Sequence, residues 1–136
     1  MPIFNIGLSY PKPRNLIVRA VPLTRGDSST LKLVIPRDAV IAGVFVHQSA
    51  ATATAAATYN LGTAASPTGV LNAFSIAVTT PVGFVAAGAT TGSLVGTRLT
   101  ADAALIGTFN AGTSTGGAAV AYIAYFMLGA GEDPTD

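Results

Sequence analysis

Apolar and polar residues alternate in short runs along this chain, and most runs end at a proline, a glycine or a group of small polar residues. Alternation with a period of two is typical of β-strands, because successive side chains of a strand point to opposite faces of the sheet. The clearest stretch covers residues 30–63 and predicts strand, turn, strand, loop and strand, with the first turn at Pro36-Arg37-Asp38. This stretch indicates a β-rich fold.

The rest of the chain continues the same pattern and predicts an all-β protein. The predicted strands are 16–22, 31–35, 40–47, 57–61, 70–80, 82–87, 93–99, 103–109 and 118–128. Short strands separated by regular turn signals are typical of a β-sandwich or barrel. We therefore predict a single-domain β-sandwich, with a jelly roll as its topology.

Two segments allow more than one interpretation. Residues 70–80 fit a short helix or a strand, and we favour the strand. Residues 50–58 are rich in alanine, which favours a helix, but the interleaved threonines do not, and we predict a loop. We also expect two sets of inward-pointing side chains: Leu31, Leu33 and Ile35, then Val40, Val44 and Val46.

The ends of the chain differ from its middle. Residues 1–15 contain three prolines, which oppose a helix and central-strand pairing, so we predict an extended arm. The domain would then be 16–129, followed by an acidic tail at 130–136. Because a disordered terminus is usually polar, we expect the apolar and basic arm to contact a partner. The predicted contact residues are Ile3, Phe4, Ile6, Leu8, Tyr10, Lys12 and Arg14.

The composition is poor in charge. Hydrophobic residues make up 50% of the 136 residues and charged residues 10%, and residues 39–97 contain no Asp, Glu, Lys or Arg. The usual charged share is about 25%. Such a surface suits stable assembly better than a free monomer, and we predict a homo-oligomer. Cysteine is absent, which excludes disulfides and thiolate metal sites.

The few charges are unevenly distributed. Through Arg37 the chain has six basic residues against Asp27 alone, a balance of +5, whereas from Asp38 onward Arg98 stands against five acidic residues, a balance of −4. The basic half can steer the chain to an acidic surface, or it can be an ordinary solvated rim. Nucleic-acid binding is not expected, because basic residues are few and are not interleaved with aromatic residues.

Membrane and secretion signals are not expected either. The longest apolar run, 118–131, is shorter than the roughly 20 residues of a spanning helix. The beginning of the sequence lacks the basic and apolar regions of a secretory signal.

Two patterns resemble catalytic motifs but predict no enzyme. The segment Gly112-Thr113-Ser114-Thr115-Gly116 has the spelling of a nucleophile elbow, but the predicted element after the serine is a strand, not the helix that this motif requires. His47, Asp102 and Ser114 follow the order of a protease triad, a coincidence that chance readily produces.

Two other patterns predict neither a metal nor an adhesion site. His47 is the one histidine, and without a second imidazole or a thiolate we expect a hydrogen-bonded strand-end residue. Arg25-Gly26-Asp27 spells an adhesion tripeptide but is expected to be a loop turn. We predict no cofactor and no metal.

Several segments together resemble the small capsid decoration proteins of tailed bacteriophages. They are Leu33-Val-Ile-Pro-Arg-Asp-Ala-Val-Ile-Ala-Gly-Val-Phe-Val, the Ala/Thr-rich sequence after it, Tyr59-Asn-Leu-Gly-Thr, Leu99-Thr-Ala-Asp and a glycine-rich hairpin before a terminal strand. The similarity covers roughly residues 30–128, while the arm has no matching pattern.

The resemblance implies a β-sandwich or jelly-roll cement protein, commonly a trimer, on the outside of the virion head where major capsid subunits meet. It implies no enzymatic activity and no cofactor. A tail or fibre component and a carbohydrate-binding surface module are the alternative functions.

Overall fold

A computed structural model of the chain describes residues 16–53, 55–76, 83–86 and 91–128. These residues form a β-sandwich of two antiparallel sheets and contain no helix, which confirms the predicted fold class. The predicted arm at 1–15 and tail at 130–136 lie outside the described residues.

Within the described ranges, eight strands build the sandwich. They are β1 (Ile17–Leu23), β2 (Thr30–Ile35), β3 (Ala39–Ala53), β4 (Ala57–Gly62), β5 (Leu71–Ile76), β6 (Gly83–Ala86), β7 (Ala103–Asn110) and β8 (Thr115–Met127). The ambiguous segment 70–80 is a strand over Leu71–Ile76, as predicted.

The strands form two sheets of four. Sheet A has the order β1-β8-β3-β6, and sheet B has the order β2-β7-β4-β5. The first strand pairs with the last, the second with the seventh, the third with the sixth and the fourth with the fifth. This nested pairing is compatible with the predicted jelly roll.

The core lies between the two sheets and comes from alternate positions of the strands. Its largest fully buried side chains are Tyr59, Ile35, Ile41, Leu61, Leu71, Ile76, Leu105 and Ile123. Each buried aliphatic side chain of this size stabilises the fold by about 1.5–3 kcal/mol relative to leaving it exposed. Aliphatic burial therefore dominates the stability of the fold.

Two β-bulges change which side chains point inward. A register shift between Ile41 and Gly43 places Ile41 in the core, whereas Val40 is buried outside the main core cluster. A second shift between Leu31 and Leu33 leaves Leu31 60% exposed. The predicted inward positions of Val40 and Leu31 are therefore wrong, because one extra residue in a strand reverses the alternation.

The loop predicted at 50–58 is also largely wrong. Strand β3 continues to Ala53, and its last residues pair with the start of β8, with Thr52 opposite Gly116 and Ala53 opposite Thr115. The Thr52 hydroxyl donates to the Ala55 carbonyl at 2.8 Å. Pairing with β8 thus holds residues 50–53 in strand β3, although their low-complexity sequence does not by itself specify a strand.

The predicted strand at 93–99 is replaced by turns with isolated bridges to Val40 and Ile41. Gly96 has a φ of 84°, in the left-handed region that interrupts a strand and favours glycine. The Gly92 amide donates to the Val70 carbonyl at 3.2 Å, and a side chain at Gly92 would collide with the backbone of Thr68. Close backbone packing, rather than ladder pairing, organises this segment.

Candidate interaction surfaces

The predicted partner-contact residues all lie in the arm, outside the described part of the chain. They are Ile3, Phe4, Ile6, Leu8, Tyr10, Lys12 and Arg14. The described chain begins at Leu16, beside β1, which is an edge strand of sheet A. Leu16 and Val18 are each 58% exposed. The described part of the chain therefore begins at an apolar sheet edge.

The outer surface of sheet A combines apolar and small residues from β1, β3 and β8. In these strands Val21, Val44 and Ile123 point into the core. The residues on either side of each of them therefore face outward. We call this surface the neutral face, and its residues are Val18, Ala20, Pro22, Gly43, Phe45, His47, Val120, Tyr122 and Ala124. None of them is Lys, Arg, Asp or Glu.

Two aromatic residues lie near the centre of the neutral face. Phe45 is 44% exposed and pairs in register with Tyr122, which is opposite Ala20 on its other side. One step along the strands, Gly43 pairs with Ala124. Large aromatic side chains thus stand beside small residues on the same uncharged surface.

An open cavity of about 410 Å³ lies at one end of the neutral face. Its lining includes Pro22, Arg25, Ser49, Ala118 and Val120. Most of these side chains are apolar or small, so the cavity suits an apolar side chain better than a charged ligand.

Ionic groups concentrate at the two ends of the sandwich. At the end where β3 begins, Arg98 Nη2 lies 3.0 Å from Asp38 Oδ1, and the Arg37 backbone amide donates to Asp102 Oδ1 at 2.8 Å. The opposite end carries Arg25 and the ion pair between Lys32 and Asp27. The remaining described cation, Arg19, is exposed on β1. It lies between Val18 and Ala20, so its side chain points to the side of the strand opposite to the neutral face.

A buried carboxylate holds the opposite end together. Asp27 is 7% exposed, and its Oδ2 accepts hydrogen bonds from the Tyr59 hydroxyl at 2.5 Å and the Thr24 amide at 3.1 Å. Lys32 Nζ lies 2.9 Å from the same oxygen. We call Thr24, Asp27, Lys32 and Tyr59 the Asp27 cluster. Its charge is paired and hydrogen-bonded, as a buried charge requires.

Burial has a clear effect on Tyr59. Its pKa is raised well above the ordinary tyrosine value, first because burial disfavours the phenolate and then because Asp27 accepts its hydrogen bond and repels the anion. A side chain at Gly107 would collide with the Tyr59 hydroxyl. Glycine on β7 therefore makes room for the cluster.

Arg25 ties the same loop to the turn between β7 and β8. Its Nη1 donates to Ser114 Oγ at 3.3 Å and to the Gly116 carbonyl at 3.2 Å, and its Nη2 donates to the Ser114 carbonyl. The guanidinium carbon lies 5.6 Å from the centre of the Phe109 ring. With Arg25 and Asp27 both engaged inside the fold, the 25–27 tripeptide is a structural turn, as predicted.

The structure does not assemble the three residues in protease order. Asp102 precedes β7, Ser114 follows the other end of that strand, and His47 lies within β3 opposite Val120. Ser114 is 2% exposed, and its hydroxyl oxygen accepts a hydrogen bond from Arg25. This geometry provides no triad.

The described residues also lack two other kinds of site. Within these ranges, no three His, Cys, Asp or Glu side chains lie close enough together to hold a metal ion. None of the described segments is a helix of the length and hydropathy needed to cross a bilayer.

Two features were not predicted from the sequence. The sequence does contain a signal for the neutral face. In Val44-Phe45-Val46 and in Ala121-Tyr122-Ile123, the residues that point to one side of the strand and those that point to the other are all apolar. A strand with two apolar faces is covered on both sides or exposes one of them. The Asp27 cluster had no comparable signal, since Tyr59 lies far along the chain from Asp27.

Comparison with known proteins identifies a similar fold. The sequence matches no family model and no curated protein. A solved structure described as the cyanophage Pam1 capsid asymmetric unit is similar with a TM-score of 0.63 and 22% sequence identity. The similarity covers 94% of this chain and 100% of that chain. At this identity the likeness shows a shared fold.

Proposed function

We propose that this protein is a structural component of a phage virion. The observation that carries the proposal is the fold shared with a chain of a cyanophage capsid structure over nearly the whole length of both chains. Independent support comes from the segments around residues 33–46 and 59–63, which resemble capsid decoration proteins. The protein would then have no enzymatic activity and no cofactor.

More specifically, we propose a decoration or cement protein, a jelly roll that binds the outer surface of the head. Its partner is the major capsid protein, and its own oligomer is a trimer. A symmetric trimer multiplies a weak contact, because attachment of one protomer raises the effective concentration of the other two. The protein would thereby stabilise the head without chemistry.

The arm is the proposed capsid contact. It precedes the edge strand β1 in the sequence, and it combines apolar residues with Lys12 and Arg14. An extended apolar segment can add to a sheet edge on a partner through main-chain hydrogen bonds. The basic residues can steer it towards an acidic patch.

Removing residues 1–15 tests this role. We expect the truncated protein to keep its fold, because β1 begins at Ile17, and to lose binding to heads that lack the protein. Binding is measured by co-sedimentation with heads, and folding by circular dichroism and thermal unfolding. Removal of residues 130–136 serves as the matched control and should leave binding intact. Full occupancy by the protein without its arm would contradict the proposal.

Electron microscopy of labelled protein on phage particles tests the assignment itself. A decoration protein is expected on the head, and heads without it should be less resistant to heating. Label on the tail would support a tail or fibre component instead. Saturable sugar binding without particle binding would support a carbohydrate-binding module.

A further inference from the structure

We infer that the neutral face is the surface through which copies of this chain associate. The inference deepens the proposed function and rests on its oligomer, but it concerns contacts between protomers and not the contact with the capsid. Its starting point is Phe45, which is 44% exposed at the centre of a sheet surface without ionic side chains. The largest apolar patch on a protein surface is often functional, and a large aromatic side chain exposed within it is a candidate contact residue.

The neutral face is comparable in size to surface patches that are often functional, but it is smaller than one side of a complete stable interface. The face spans three adjacent strands, which are about 4.8 Å apart and about seven residues long. Its flat area is therefore roughly 350 Å². This matches the largest patches on typical monomers, about 300–600 Å². It is less than half of the about 800 Å² per partner in a stable pairwise interface. The contact between copies therefore includes residues beyond the neutral face.

The absence of charge indicates a second copy as the occupant. A partner recognised by its charge would need ionic groups on this surface, and in the described chain these groups lie at the ends of the sandwich or, for Arg19, on the alternate side of β1. Copies of one chain also bring identical charges together, which costs free energy unless the surface is neutral. The neutral face meets this condition.

The shape of the surface is also suited to self-association. Phe45 and Tyr122 project beside small residues at Ala20, Gly43 and Ala124, and an open cavity of about 410 Å³ lies at one end. One surface therefore carries two large aromatic side chains and, at one end, an open cavity that can receive an apolar side chain from a neighbour. Buried aromatic anchors of this kind supply most of the affinity of many interfaces.

Sedimentation equilibrium of the purified full-length protein, without capsids, tests the inference. We expect the wild-type protein to form a closed oligomer, with a trimer at three times the 13.6-kDa chain mass. Phe45→Lys should raise the dissociation constant at least tenfold, because it places a charge at the centre of each contact. Val18→Lys, at another exposed position of the same face, should act in the same direction.

Leu31→Lys is the matched control. Leu31 is 60% exposed on sheet B opposite Ile106, so the substitution adds the same charge at an exposed apolar position of the other sheet. It should leave the dissociation constant unchanged. Circular dichroism checks that each variant is folded, and Val18→Lys decides the test if Phe45→Lys does not fold.

Three results would overturn the inference: a wild-type protein that is monomeric at every concentration, neutral-face variants that associate normally, or an equal effect of Leu31→Lys. Self-association through this face without head binding would retain the inference and refute the proposed function. Head binding by a monomeric protein would refute the inference and retain the proposed function. The two failures are therefore distinguishable.

Discussion

The Asp27 cluster shows how a few polar residues stabilise an apolar sandwich. One carboxylate oxygen accepts from Tyr59 and Thr24 and pairs with Lys32, so every charge in the cluster has a close partner. The sequence marks Asp27 only as an acid among basic residues in a turn. Its partner Tyr59 comes from another strand, and Gly107 makes room for it from a third. Such a set depends on tertiary packing and has no local signal.

Tyr59→Phe tests the cluster through its pH dependence. At pH 7 we expect a loss of about 1–3 kcal/mol in the free energy of unfolding, because the hydroxyl no longer donates to the buried carboxylate. The folded pKa of Tyr59 is raised, so its contribution is present below the unfolded value of roughly 10 and is lost as the pH rises above it.

The wild-type protein should therefore lose about 1.4 kcal/mol per pH unit more than Tyr59→Phe above a pH of about 10. Urea unfolding between about pH 7 and about pH 12 measures both curves, and lysines and the other tyrosines affect both proteins alike. Parallel alkaline curves would show that the Tyr59 pKa is not raised.

At the scale of elements, the sequence predicts the strands better than their details. Eight of the nine predicted strands overlap observed ones, because alternation and turn residues are local signals. The bulge at Ile41 and Gly43 is not local, since it depends on pairing between β3 and β8. The extension to Ala53 and the loss of a strand at 93–99 likewise reflect which neighbours are available for pairing.

Arg25 connects two elements that the sequence treats separately, the loop before β2 and the turn before β8. Arg25→Lys should lower the free energy of unfolding by about 1–2 kcal/mol, because an ammonium group lacks the planar fork that reaches Ser114 and Gly116 together. Arg37→Lys is the control, since its side chain is 69% exposed. Equal urea midpoints for the two variants would contradict the role of Arg25.

At the scale of the whole molecule, charge and hydropathy are spatially separated. The ion-free stretch 39–97 supplies much of β3 to β6, while ionic pairs hold the ends, as at Asp38 and Arg98. Composition alone predicted a surface suited to assembly. It did not predict which surface, because assigning a residue to the inner or outer side of a sheet requires the register.

This separation predicts a response to salt. Raising the NaCl concentration from about 0.1 M to about 1 M shortens the Debye length from about 10 Å to about 3 Å. Self-association through the neutral face should be unchanged or stronger, whereas head binding through Lys12 and Arg14 should weaken. Sedimentation and co-sedimentation across this range measure the two. Self-association that weakens tenfold in high salt would indicate an ionic interface instead.

The register of β1 and β8 has a practical consequence for attaching other proteins to this one. Ile17 lies opposite Tyr125, so the described chain starts and finishes at the same end of the sandwich. The exposed residues Gly112 and Thr113 lie in the turn before β8, at the other end of that 13-residue strand, roughly 40 Å away. A passenger sequence inserted between Gly112 and Thr113 would therefore be displayed at the end of the sandwich opposite to Leu16 and Leu128.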